Sequence, residues 1–347
     1  VDQRRDGLGL FGEVRKHLVE RVWHRSPCHP LEHGTDLIML ADCAGWAAPL
    51  TLPFEPVELT HRGAPAMGGQ LQGEEVTPAP WINVIANASF GCQVSVEGGG
   101  YTWSLNSREN QLTPWSNDAV CDPIAEVLYI RDEATGEYWT PTRAPRCNPR
   151  GQYSVRHGHG YTIFEHVAED LVLTLEIFVP LDSAVKISRL RIRDTSGIQR
   201  RLSVTAYVDW VLGTSRSAGA PFLTTSIDEE TGALFARNSI NPMFGPRVAF
   251  IDLCGLQTEW SGDRREFLGR CRDLDRPAAL EQDGRLSMHT GAGMDPCGAL
   301  RTVIAVAGNG TAEAVLFLGQ HEDAAGASAM VQECRRLDVD AALQSVR

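Results

Sequence analysis

"RLSVTAYVDWVL", residues 201–212, alternates without a break. Leu202, Val204, Ala206, Val208, Trp210 and Leu212 fall on one side, and Ser203, Thr205, Tyr207 and Asp209 on the other. A period of two marks an extended strand with one face turned to a core, because successive side chains point to opposite faces. "LVLTLEIFV" (171–179) repeats the pattern through Leu171, Leu173, Leu175, Ile177 and Val179. "RVAFIDL" (247–253), "LRTVIAVAG" (300–308) and "AEAVLFLG" (312–319) read as further strands. In "KISRLRIRD" (186–194) the apolar phase changes between Ile187 and Leu190, which predicts a β-bulge.

The turns agree with the strands. "IRDEATGEYW" (130–139) and "SIDEETGALF" (226–235) each join two strand-like runs through an acidic loop. In each loop a glycine, Gly136 or Gly232, can take the positive φ a hairpin needs. No strand–helix–strand alternation occurs, which argues against a parallel α/β sheet. The expected fold is mainly β: a large antiparallel two-sheet sandwich with short flanking helices.

The flanks differ in kind. In "LFGEVRKHLVERVWHR" (10–25), Phe11, Val14, Leu18 and Val22 stand at helical spacing, which predicts a short amphipathic helix. A Pro- and Gly-rich stretch without a sustained period follows, up to about residue 80. At the other end, "EDAAGASAMVQECRRLDVDAALQSVR" (322–347) is rich in alanine. Met330, Val331, Cys334 and Leu337 again stand at helical spacing. Three segments are expected: a leader over 1–76, the sandwich over 77–321 and a helical linker over 322–347.

Bulk chemistry narrows the function. The 347 residues carry a formal net charge of −12, spread along the chain, which disfavours nucleic acid as a partner. There are nine cysteines and no CxxC pair, so reduced thiols in a reducing, cytoplasmic compartment are expected. The longest apolar stretch, "LVLTLEIFVPL" (171–181), is too short to span a membrane, and no membrane contact is expected. No secretory signal is evident after Val1. The missing initiator Met and the abrupt end at Arg347 fit a fragment of a longer chain.

The common catalytic signatures, G-x-S-x-G, the P-loop, G-x-G-x-x-G after a strand and H-E-x-x-H, do not occur. "VRHGHGYTIFEH" (155–166) holds His157, His159 and His166. On a strand His157 and His159 would share a face and could ligate a metal. The alternative, ordinary polar histidines beside a Gly158–Gly160 turn, is preferred, and no metal is expected. "GYTWSLNSRENQLTPWSNDAVCDP" (100–123) mixes Trp with Asn, Arg, Glu and Asp. Sugars offer apolar CH faces that stack on aromatic rings and hydroxyls that need mixed donors and acceptors. A carbohydrate-contacting loop and a packed structural corner both fit. A carboxylate pair, Glu109 with Asp118, acting on a glycosidic bond is a third option.

At these residues a family resemblance becomes specific. "TPAPWINVIANASFGCQVSVEGGGYTWSLNSRENQLTPWSND" (77–118) resembles the amino-terminal β-sandwich of the phosphorylase-like region of cyclic β-1,2-glucan synthases. Those belong to glycoside hydrolase family 94, formerly glycosyltransferase family 36, with the cellobiose and chitobiose phosphorylases. "EVLYIRDEATGEYWTPT" (126–142), "YSVRHGHGYTIFEH" (153–166), "YVDWVLGTSR" (207–216), "SGDRREFLGR" (261–270), "PAAL" (277–280) and "GAGMDPCGAL" (291–300) follow in order. The resemblance runs from about Thr77 to the end. Ahead of it, "GAPAMGGQLQGEE" (63–75) is a distant echo of the family's Gly-rich first strand, so one or two edge strands are in question.

The resemblance implies a sandwich similar to galactose-mutarotase-like domains, followed in the parent protein by a helical linker and an (α/α)6 barrel with the catalytic Asp. That barrel performs inverting phosphorolysis, with phosphate as co-substrate. In the synthases this region adjusts glucan chain length, beside membrane-embedded regions that polymerise from UDP-glucose. Sandwich loops lean over the barrel mouth, sometimes that of a dimer partner. No catalytic residue is therefore expected in this chain, and no cofactor. The expected partners are a β-glucan or glucooligosaccharide, the barrel and a second copy in a homodimer. The implied sugar-contacting residues are Trp103, Asn106, Arg108, Glu109, Asn110, Trp115, Asn117 and Asp118, with Arg264, Glu266 and Arg270. Asp295 is a further candidate, with a structural turn role equally open. The competing expectation is a scaffold that buttresses the barrel or a dimer and binds no sugar itself.

Overall fold

The computed structural model describes residues 67–347 apart from 74 and 282–283. The helix expected over 10–25 and the Pro/Gly-rich stretch up to residue 66 lie outside the described residues. The strands are β1 (Met67–Gln72), β2 (Ile82–Ala86), β3 (Phe90–Ser95), β4 (Gly100–Ser104), β5 (Glu126–Asp132), β6 (Tyr138–Trp139), β7 (Gln152–Gly158), β8 (Tyr161–Ala168) and β9 (Leu171–Phe178). They continue as β10 (Val185–Asp194), β11 (Arg200–Asp209), β12 (Leu223–Ile227), β13 (Leu234–Asn238), β14 (Val248–Asp252), β15 (Glu259–Asp263), β16 (Pro296–Val306) and β17 (Thr311–His321). Among the described residues four α-helices accompany them, α1 (Arg216–Gly219), α2 (Arg264–Leu268), α3 (Ala324–Arg336) and α4 (Val339–Val346), with two 3-10 turns, Ala220–Phe222 and Ala278–Leu280.

Nine strands form one sheet in the order β1-β7-β8-β9-β10-β17-β14-β13-β12, and five form a second, β15-β16-β11-β5-β6. A third sheet, β2-β3-β4, has three strands. Every pairing between these strands is antiparallel. The mainly β, antiparallel sandwich read from the sequence is the fold. The "MGGQLQ" run forms the edge strand β1 on β7 and lies ahead of the boundary expected at Thr77.

The main core lies between the two large sheets. Leu173, Leu175, Leu190 and Ile192 from one meet Ile130, Leu202, Val204, Ala206, Val208 and Leu300 from the other. Ile85, Phe90, Cys92 and Val94 of the small sheet join the same core. Both hairpins form as expected: Gly136 and Gly232 take φ of 77° and 71°, and each donates its N–H to the aspartate that opens the turn.

Both large sheets carry a second layer, which alters two sequence expectations. Asp209 is half-buried, but Ser203, Thr205 and Tyr207 on the polar side of β11 are buried. Tyr207 stacks on Phe267 of α2 at 4.6 Å, and Leu268 and Leu280 complete that outer cluster. The bulge expected in residues 186–194 is absent. β10 keeps an unbroken register from Val185 to Arg193 against β17 and from Ile187 to Asp194 against β9. Val185 and Ile187 instead face outward, under Val331 and Cys334 of α3 and Leu343 and Val346 of α4, while Leu190 and Ile192 face the main core. The change of phase is a change in which face has apolar cover.

Candidate functional site

The loops and strand ends around Glu126, Val185, Asp209 and Pro296 form one end of the sandwich. β4 delivers Tyr101 and Trp103 there. They alternate with Thr102 and Ser104, which are buried on the other face. The Trp103 indole lies against β3, and a Cβ on Gly91 would meet its ring at 2.4 Å, so glycine is what permits that approach. The loop after β4 brings Trp115 back to Tyr101, which stands 5.1 Å from Trp103 and 6.3 Å from Trp115, centroid to centroid. Trp115 is 48% exposed. Three aromatic rings thus form a cluster at the surface. Tyr101 was missed by sequence reasoning, although the period of two from Trp103 could have shown it.

The polar residues of this loop divide into two sorts. Asn106 Oδ1 accepts from the N–H of Arg108 at 3.0 Å and of Glu109 at 2.9 Å, shaping a tight turn. Asn110 is fully buried and donates to Ser104 O and to Gln320 Oε1 at 2.8 and 2.7 Å. Its side chain is held inside the fold as a structural corner. Asp118 accepts from the N–H of Val120 and Cys121, bonds that, with Cys121 the stronger, hold its carboxyl below the usual range. Arg108 and Asn117 are exposed, and Glu109 is half-buried, with Arg108 3.4 Å away. The backbone bonds to Asp118 favour its ionised form, which does not suit a general acid.

Two of the second group of candidates, Arg264 and Asp295, join an ion-pair chain. Arg216 donates from Nε to Asp209 Oδ1 at 2.8 Å and from Nη2 to Asp295, and Arg264 stands 3.5 Å from Asp295. Burial raises the Asp209 carboxyl against the pull of Arg216. Glu266 accepts from Ser261 Oγ and from both the N–H and Oγ of Ser287, tying α2 to β15 and to the loop before β16. Arg270 is exposed and stands outside this chain. The two groups are linked through the backbone: Gln111 pairs with Gly213, and Val211 N donates to Leu112 O. Arg216 and Asp209 were not among the sequence candidates, since no local pattern separates them from other charged residues.

The histidines do not converge. Strand register sets His157 opposite Thr162 and His166 opposite Tyr153, at the two ends of one hairpin. His166 stacks on Tyr153 at 4.2 Å and binds Thr140 O through Nδ1 at 2.8 Å. No group of His, Cys, Asp and Glu that could hold a metal occurs among the described residues. Among them, too, no helix is long and apolar enough to cross a membrane.

Two packed antiparallel sheets and a third small sheet define a β-supersandwich domain. The chain belongs to the glycosyl hydrolase 94 supersandwich-domain family, whose model matches residues 69–337. It is 37% identical over 278 residues to the cyclic beta-(1,2)-glucan synthase NdvB of Rhizobium meliloti (strain 1021), across 80% of this chain and 10% of that protein. It is 25% identical over 244 residues to the N,N'-diacetylchitobiose phosphorylase of Vibrio proteolyticus, across 64% of this chain and 28% of that protein. A solabiose phosphorylase from Paenibacillus borealis is 28% identical over 222 residues, across 59% of this chain and 27% of that protein. The chain therefore spans from a tenth to less than a third of these relatives.

Proposed function

We propose that this domain holds a stretch of glucan on its Tyr101–Trp103–Trp115 cluster and so completes the sugar subsites of an (α/α)6 catalytic barrel in a longer protein. The exposed Trp115 beside two further rings carries this reading, because a pyranose CH face is recognised by such a surface. On the same loop, Arg108, Glu109 and Asn117 supply hydroxyl partners. Bond cleavage, with phosphate as co-substrate, belongs to the barrel, and no cofactor is required here.

Calorimetry with β-1,2-linked glucooligosaccharides tests this. Trp115→Ala is expected to weaken binding about three- to tenfold, the size of one aromatic stacking contact. A folded protein that releases no heat at millimolar sugar sinks the proposal.

A second reading has its own support. Leu105, Phe222, Ile240 and Met243, on the loops around the same end, are 52%, 44%, 53% and 72% exposed. Exposed apolar side chains gathered in this way are what a covered interface would show. A scaffold that buttresses the barrel or a homodimer would need this surface and no sugar.

A further inference from the structure

At the far end of the five-stranded sheet lies a separate groove of about 840 Å³, bordered by Gly136, Tyr138, Arg146, Arg276, Ala278 and Glu281. β5 runs from Glu126, beneath the aromatic cluster, to Arg131, which pairs with Tyr138. Five residues of strand separate the two places by about 16 Å. Here we infer a second oligosaccharide-binding site, for a neutral glucosyl chain, built on the stacked pair Tyr138 and Arg146. The inference rests on the carbohydrate class proposed above, though not on the aromatic cluster.

The geometry of the pair is specific. The Arg146 guanidinium lies 4.3 Å over the Tyr138 ring centre. Its Nη1 donates to Asp275 O at 3.3 Å and stands 3.5 Å from Asp275 Oδ1, while Tyr138 donates its hydroxyl to Asp275 O at 3.0 Å. These bonds use one nitrogen of a group that carries five N–H donors in a fixed fork. Among the described residues nothing else bonds its Nε and Nη2, whose donors remain for a ligand. Asp275 and the ring stack hold the fork in place, so little side-chain freedom is lost when it binds.

The other borders supply what a sugar also needs. Arg276 makes no hydrogen bond or ion pair among the described residues and is exposed on the rim. Glu281 accepts from Arg272 through Oε1, and among the described residues Oε2 has no partner and is left as an acceptor. Ala278, half-buried, adds a small apolar surface for a CH face. The volume falls within the range of about 300–1,000 Å³ usual for small-ligand sites and far exceeds an inorganic anion. Asp275 and Glu281 beside the arginines also disfavour an anion, since like charges would meet it. Alternating donors, acceptors and apolar surface with balanced charge match a neutral polyol chain.

The test is calorimetry of the whole chain with a β-1,2-linked glucopentaose, and separately with inorganic phosphate. Four proteins are compared: the unaltered chain, Trp115→Ala, the groove variant Arg146→Gln with Arg276→Ala, and all three substitutions together. Circular dichroism confirms the fold of each. Binding that survives Trp115→Ala is expected to weaken about tenfold in the triple variant, the size of one lost charge-assisted hydrogen bond. If Trp115→Ala removes all binding, the groove inference falls and the aromatic-cluster proposal stands. If Trp115→Ala changes nothing and the groove variant abolishes binding, the inference stands and the cluster proposal falls. Identical residual binding in Trp115→Ala and the triple variant overturns the inference, as does a groove that takes phosphate and no sugar. No binding by the unaltered chain overturns both.

Discussion

Lys186 donates from Nζ to the Glu126 carboxylate inside the sandwich, and the same ammonium reaches Thr102 Oγ1 at 2.9 Å. Thr102 lies between Tyr101 and Trp103, and its hydroxyl donates to Glu126 Oε1 at 2.6 Å. Thr113, two residues before Trp115, donates to the same oxygen at 2.8 Å. One buried ion pair therefore anchors both arms of the aromatic cluster. Burial brings the Lys186 ammonium down to about 8, with the Cys92 thiol acting against that fall.

Removing one member of this pair leaves the other charge buried without a partner. Lys186→Met is expected to destabilise the fold by about 3–5 kcal/mol, the usual cost of breaking a buried pair on one side. Adding Glu126→Gln removes the stranded charge and is expected to restore most of that loss. Urea unfolding of the two single variants and the double variant checks this. Additive losses would show that the two residues act independently.

The close approach of Trp103 to β3 gives a finer test of the surface. Gly91→Ala places a methyl group 2.4 Å from the indole, so the ring must move. Near-ultraviolet circular dichroism should change, and glucooligosaccharide affinity should fall about as far as in Trp115→Ala. An unchanged aromatic spectrum would show that the ring does not rest on Gly91.

His166 makes the fold sensitive to acid. Burial holds its imidazole down to about 4, against the Thr140 carbonyl bond, which favours the protonated form. Below about pH 6.5 the unfolded chain takes up a proton that the folded chain refuses until about pH 4, so stability falls as the pH drops through that window. The loss from this one group is of the order of 3 kcal/mol. His157 is likewise held down to about 4 by burial and adds to the slope. His166→Phe should flatten the melting temperature between pH 6.5 and 4. An unchanged slope would place the acid sensitivity elsewhere.

Helix α3 is held to the nine-stranded sheet by a charge clamp. Arg335 of α3 donates from Nε and Nη2 to the two oxygens of the fully buried Asp252, at 2.9 and 2.7 Å, and from Nη2 to Thr231 O at 2.7 Å. Arg335→Ala leaves that carboxylate buried and unpaired and is expected to cost about 3–5 kcal/mol. Hydrogen exchange should rise first in α3 and α4. Uniform exchange across the sheet would show that the helices do not open as a unit.

Local chemistry determined much of this protein. The period of two in residues 171–179 and 201–212 follows from strand geometry, and the glycines of the two acidic turns follow from a backbone angle. Both were legible, as was the stretch holding Trp103 and Trp115. Tertiary structure decided which loop residues face solvent. Asn110 looked like Asn117 in the sequence, yet it is buried because Gln320, 210 positions away, meets it. The same holds for the polar face of β11, covered by Phe267, and for the apparent bulge in β10, which is cover from two helices. Lys186 and Glu126, 60 residues apart, become partners only when the sheets close. Strand and turn preferences act over a few residues, so a sequence displays them directly. Burial on a second face depends on what arrives from far along the chain, and no short pattern records it.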